Sequence, residues 1–168
     1  SEPPMKVLRV YHAGRDAAHR ERDAALTAAG VHVTLVVPRN WPEPGHEARQ
    51  AGSLDSRFAV HELPVVRPGD VNRHVYADRA HLTALLEAVR PDVLDLHEEP
   101  FSAVVRQWLR VTPPDLPVVT YTAQNIDKRF PPPFHWYERR ALHRVQGIYP
   151  CSRQAASVVR GKGFHGAI

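Results

Sequence analysis

The sequence predicts an α/β domain, a Rossmann-like three-layer sandwich around a mostly parallel sheet. Two observations predict it. Short β-branched runs alternate with longer helix-forming runs along the whole chain. Strands separated in this way by helices form parallel sheets with crossover connections. The polar chemistry then concentrates just after two of the strands: His97-Glu-Glu-Pro-Phe-Ser follows Asp92-Val-Leu-Asp-Leu, and Tyr121-Thr-Ala-Gln-Asn-Ile-Asp follows Leu116-Pro-Val-Val-Thr. The carboxyl ends of the strands are where an open parallel sheet binds ligands.

The elements follow in order. Lys6–Tyr11 reads as a buried strand ending at His12-Ala-Gly-Arg. Asp16–Ala29 is Ala-rich and charged, a helix stopped by Gly30. Val31–Val37 is the second strand, closed by Pro38, and Arg39–Ser56 reads as a long loop from its Trp-Pro, Pro-Gly and Gly-Ser pairs. Phe58–Val66 is the third strand. A Pro-Gly turn over Arg67–Asp70 leads to a helix over Asn72–Val89. Val93–Leu96 is the fourth strand, and Phe101–Val111 a helix that Pro113-Pro114 breaks. Pro117–Tyr121 is the fifth strand. Phe134–Val145 is an amphipathic helix, with Phe134, Tyr137, Ala141, Leu142 and Val145 on one face. Gly147–Pro150 is a short sixth strand, and Ser152–Lys162 a last helix with Ser152 at its N-cap.

Composition narrows the class. A chain of 168 residues with 43% apolar and 24% charged residues suits one globular domain with a substantial core. No apolar run reaches the roughly 18 residues needed to cross a bilayer. Met5-Lys-Val-Leu-Arg-Val makes a poor signal peptide, because Arg9, His12, Arg15 and Asp16 interrupt it. Met5 reads as the native start and residues 1–4 as a remnant ahead of it. The single cysteine, Cys151, excludes an internal disulfide and a multi-thiolate zinc site. It reads as buried, in a protein of the reducing cytoplasm. Net charge is +4, and from Asp127 to Lys162 there are eight Lys/Arg against two Asp/Glu. Such a segment suits phosphate, nucleotide or peripheral contact with an anionic membrane at its inner face, with a plain solvated helix face as the alternative. Trp136 beside Arg139, Arg140 and His143 points the same two ways. No nucleic-acid partner is expected.

Gly14 stands alone in the first strand-to-helix turn, so the glycine fingerprint of dinucleotide-binding folds is absent, as is a P-loop. A lone glycine there either lets a phosphate or sugar approach the backbone or makes a plain tight turn. One His with two carboxylates at His97-Glu98-Glu99 is too thin a set for zinc, so no metal is expected. Glu98 or Glu99 suits hydrogen bonding to substrate hydroxyls, or an N-terminal helix charge. His12 comes close from the first strand in a 3-2-1-4-5-6 order. Thr122, Gln124 and Asn125 add neutral donors and acceptors, which read polyols or merely shape a turn.

These residues carry a resemblance. His97-Glu-Glu-Pro-Phe-Ser, Tyr121-Thr-Ala-Gln-Asn-Ile-Asp-Lys-Arg-Phe-Pro-Pro-Pro-Phe, Trp136-Tyr-Glu-Arg-Arg-Ala-Leu-His-Arg and Cys151-Ser together resemble the amino-terminal half of family-4 (group 1) glycosyltransferases of the GT-B fold. The likeness runs from Met5 to Phe164. It implies that residues 5–168 are the acceptor-binding half of a retaining enzyme, with a carboxyl-terminal donor-binding domain as the missing partner. It implies a nucleotide-diphosphate sugar as donor substrate and no cofactor. Gly14 and Arg15 would lie near the donor phosphates, with His12, Glu98, Glu99, Thr122, Gln124 and Asn125 on the acceptor side. One departure is that Thr122 stands where many relatives place a His that touches the transferred sugar. The competing expectations are half of a GT-B nucleotide-sugar epimerase and a non-catalytic module that binds sugar or anionic lipid.

Overall fold

The computed structural model describes residues 2–42 and 55–168. Most of the loop expected over Arg39–Ser56 therefore lies outside the described residues. The strands are β1 (Lys6–Val10), β2 (His32–Pro38), β3 (Ala59–Leu63), β4 (Val65–Val66), β5 (Val75–Tyr76), β6 (Val93–Leu96), β7 (Val118–Thr122) and β8 (Gly147–Pro150). The α-helices are α1 (Glu21–Ala28), α2 (Arg79–Val89), α3 (Ala103–Val111), α4 (Phe134–Arg144) and α5 (Arg153–Gly161). Six strands form one sheet in the order β3-β2-β1-β6-β7-β8, and every neighbouring pair is parallel. This is the doubly wound order anticipated from the sequence. The chain reverses its direction across the sheet between β1 and β6, which is the topological switch point of such folds.

Side-chain alternation assigns the two faces. Along β2, Val36 joins Leu8, Val10, Leu94, Leu96 and Trp108 in the larger core. Its neighbours Val33, Leu35 and Val37 pack instead with Phe58, Ala24 and Leu26. A period of two therefore sends the first set toward α2, α3 and α4 and the second toward α1. The outer edge of β8 is covered by the chain's tail, since Ile148 donates from its backbone to the Ala167 carbonyl at 2.9 Å.

Three boundaries differ from expectation, each for a local reason. The helix expected from Asp16 starts only at Glu21, after two 3-10 turns over His12–Arg15 and Ala17–His19. Asp16 is extended and its side chain accepts from the Ala18 amide, which caps a turn rather than continuing a helix. The strand expected over Phe58–Val66 breaks at Pro64, which has no amide hydrogen to give to a ladder. Val65–Val66 then pairs antiparallel with Val75–Tyr76 as a separate ribbon. The helix expected from Asn72 begins at Arg79, because Asp70 folds the preceding turn by accepting from the Asn72 and Arg73 amides. Asp78 caps the helix through the Ala80 amide. Ser152 caps α5 as expected, accepting from the Ala155 amide at 3.1 Å. Cys151 is exposed, contrary to the expected buried thiol: it lies just past the end of β8, where its amide still donates to the Thr122 carbonyl at 2.9 Å and its side chain is left at the surface. No helix among the described residues is long and apolar enough to cross a membrane.

Candidate functional site

The order β1-β6-β7 sets three strand ends side by side and so gathers residues remote in sequence. His12 follows β1, His97 to Glu99 follow β6, and Thr122 closes β7. Glu98 is only 4% exposed and is committed to His12. Its Oε1 accepts from the His12 amide at 2.8 Å, and its carboxylate meets His12 Nδ1 at 2.8 and 2.9 Å. Burial alone would lower the His12 pKa, but the Glu98 hydrogen bond and charge outweigh it and raise the pKa above its ordinary value. Trp41 stacks on the His12 ring at 5.2 Å, and His74 meets both rings edge-on. His74 is buried and donates from Nδ1 to the Asp70 carbonyl, and its Nε2 has no partner among the described residues. Burial holds its pKa below the ordinary value.

Glu99 faces the other way and clamps the end of β7. Its carboxylate accepts from the Thr122 hydroxyl at 2.9 Å and from the Ala123 amide at 2.7 Å. Burial raises its pKa, against the pull of those two hydrogen bonds. Thr122 in turn accepts from the Gln124 amide. The two carboxylates are thus not bare sugar receptors. Each has internal donors already, and each ionised oxygen keeps further lone-pair capacity. Gln124 is half-buried and Asn125 exposed, and neither makes a side-chain hydrogen bond among the described residues.

Gly14 and Arg15 lie on the β2 side of this group. Gly14 is buried, and a Cβ there would sit 3.2 Å from Leu35 Cδ2, so close packing of the turn on β2 is one reason for the glycine. Arg15 donates from Nη1 to the Trp41 carbonyl at 3.1 Å. Arg15 therefore adjoins the ring that covers His12, while Glu99, Thr122, Gln124 and Asn125 form the β7 side.

A buried ionic network beneath the site is not anticipated by the sequence reading. Arg9, wholly buried in β1, donates from Nε to Asp23 at 2.7 Å and from Nη1 to Asp95 at 2.6 Å. Burial opposes its charge, but Asp95 and Asp23 more than compensate and raise its pKa. The Tyr149 hydroxyl also donates to Asp95, and the Arg9 Nη2 donates to His97 Nδ1 at 3.2 Å. The His97 ring stacks on Tyr11 at 3.8 Å and touches Tyr121 and Tyr149. Burial, with the Arg9 and Arg22 charges, pushes the His97 pKa down to about 3. His97 is thus a fixed neutral ring in the floor of the site. The signal for this network was present: opposite charges sit inside two strand runs, at Arg9 and Asp95, and the register pairs them. Among the described residues no group of three His, Cys, Asp or Glu side chains is disposed to hold a metal ion.

A doubly wound parallel sheet with its polar groups gathered at the carboxyl edge is the architecture that places a ligand site at the topological switch point. The family model Glycosyltransferase Family 4 matches residues 24–167, and the chain belongs to that family. No match was found among curated proteins. Among solved structures, the chain is similar to a putative UDP-N-acetylglucosamine 2-epimerase from Listeria monocytogenes, with TM-score 0.58 and 11% identity over 98% of this chain and 44% of that one. It is also similar to another UDP-N-acetylglucosamine 2-epimerase, with TM-score 0.54 and 11% identity over 95% of this chain and 45% of that one. At such identity the likeness shows the fold alone, a Rossmann-like α/β domain. The chain spans under half the length of either structure.

Proposed function

We propose that this chain is the acceptor-binding half of a retaining glycosyltransferase that moves a sugar from a nucleotide-diphosphate donor to an acceptor hydroxyl. The observation that carries the reading is the pair of half-buried His12 and buried Glu98 at the switch point of a family-4 domain. Its imidazole edge and the free amides of Gln124 and Asn125 supply donors and acceptors for a polyhydroxylated acceptor. Gly14 and Arg15 would face the donor diphosphate held by a second domain, and the donor is a substrate rather than a cofactor. In the transfer, the bond between the anomeric carbon and the diphosphate oxygen breaks, the acceptor oxygen bonds to that carbon, and the hydroxyl proton is released. This half contributes positioning, and cationic stabilisation of the departing diphosphate through Arg15. A cytoplasmic setting goes with the reading.

The test is to supply the intact enzyme with a panel of nucleotide sugars and hydroxyl acceptors and to follow products by proton NMR. The reading expects an acceptor-dependent product with the donor's anomeric configuration. A product of inverted configuration would overturn the retaining assignment. The likeness to two epimerases favours a second reading, half of a nucleotide-sugar epimerase. Conversion of the donor with no acceptor present would select that reading over the first.

A further inference from the structure

The helical face beside the candidate site carries an array of arginines without acidic counterparts. Two adjoining shallow grooves, of about 890 and 450 Å³, lie against α3 and α4 and share Arg106 and Tyr137. The first is lined by Arg106, Arg139, Arg140 and Arg144 together with Trp136. The second adds Arg67, Arg73, Arg79 and Arg110. Among the described residues neither lining contains an Asp or Glu. None of these arginines forms an ion pair among the described residues. Aromatic rings hold two of them in place, with Arg106 at 4.8 Å over Tyr137 and Arg73 at 5.9 Å over Phe134. Unneutralised like charges repel, so the array stores a cost that a bound anion relieves.

We propose that this face docks on an anionic membrane, the arginines taking lipid phosphates while Trp136 enters the headgroup layer. Guanidinium groups bind phosphate oxygens in pairs, which suits a field of headgroups. Trp136 decides between a membrane and a soluble polyanion. It is 54% exposed among the cations. An indole there adds nothing to binding a phosphate chain, whereas Trp partitions into the membrane interface. The array also starts at the edge of the sheet that carries the candidate site. Phe134 meets Phe101, and the next residue, Ser102, donates to the Glu99 carbonyl. Docking would hold the mouth of the site at the bilayer. The inference stands independently of the proposed reaction.

Vesicle sedimentation of the intact protein tests it, comparing neutral phosphatidylcholine with vesicles in which roughly one-third of the lipid is phosphatidylglycerol. Binding is expected only to the anionic vesicles and is expected to fall steeply with salt. Arg139→Gln with Arg140→Gln should weaken it about thirtyfold. Both arginines and Trp136 are exposed, so unchanged thermal unfolding of the variants is expected. Trp136→Ala should weaken vesicle binding about tenfold and leave binding to soluble inorganic polyphosphate unchanged. Equal binding to neutral and anionic vesicles, or none at low salt, would overturn the proposal. Tight polyphosphate binding with no vesicle binding would overturn it too, and would assign the face to a soluble polyanion.

Discussion

Arg9 is the residue on which the floor of the site depends. Its guanidinium serves Asp23, Asp95 and His97 at once, in a place where no water reaches it. Arg9→Met would leave two buried carboxylates uncompensated, and we expect a loss of about 3–5 kcal/mol in urea unfolding. A loss comparable to that of an exposed arginine would show that the network is dispensable. His97 gives a pH signature. Its folded pKa of about 3 lies below its ordinary 6.5, so the unfolded chain binds the extra proton between those values. Its contribution is therefore complete above pH 6.5 and is lost as pH falls toward 3. His74 acts in the same direction. His12 has the opposite sign: its raised pKa stabilises the fold below 6.5, and that part is lost as pH rises through the folded value. The stability difference between wild type and His97→Asn should thus shrink on acidification below pH 6.5 and stay flat above it. A difference that is constant from pH 4 to 8, within about a few tenths of a kcal/mol, would contradict the assignment. The position of His12, Glu98, Glu99, Thr122, Gln124 and Asn125 along one edge of the sheet was legible in the sequence, because each lies at or just after the carboxyl end of a strand. Their partners were not, since the pairing of His12 with Glu98 depends on two strands 86 residues apart becoming neighbours.

At the scale of elements, the strands were the most legible. The inner strands β1, β2 and β6 carry largely apolar runs buried on both faces, as a parallel sheet requires, whereas the edge strand β3 has no fully buried residue. Helix starts were less so, because short-range side-chain bonds override the apolar period. Asp16 and Asp78 each accept from an amide two residues on, and each delays the helix that periodicity alone would begin sooner. Pro64 splits the third strand in the same way, by a backbone group it lacks. Where the cap coincided with the start of the pattern, as at Ser152, the boundary was found. Ser152→Ala should cost about 1 kcal/mol through α5. Trp108 on α3, wholly buried between helices and sheet, should cost about 3–5 kcal/mol when truncated to Ala. Thermal and urea unfolding of the two variants would rank them, and the reverse order would mean that α3 packs more loosely than its burial indicates.

For the whole molecule, the fold was readable because it rests on repetition, six strands in doubly wound order, and the family because its motifs fall in order along the chain from His97 to Ser152. The arginine face was only half readable. The basic stretch from Asp127 to Lys162 is contiguous in sequence, whereas Arg67, Arg73, Arg79, Arg106 and Arg110 join it only through packing. The central claim is that the edge bearing Glu98 and Asn125 receives the acceptor, and steady-state kinetics of the intact enzyme test it most directly. Acceptor and donor KM would be measured for wild type, Glu98→Gln and Asn125→Ala. The account predicts an acceptor KM raised about tenfold or more in each variant, Glu98→Gln by releasing the His12 ring that it holds and Asn125→Ala by removing one acceptor hydrogen bond, with the donor KM nearly unchanged. Acceptor kinetics identical to wild type in both variants would contradict it.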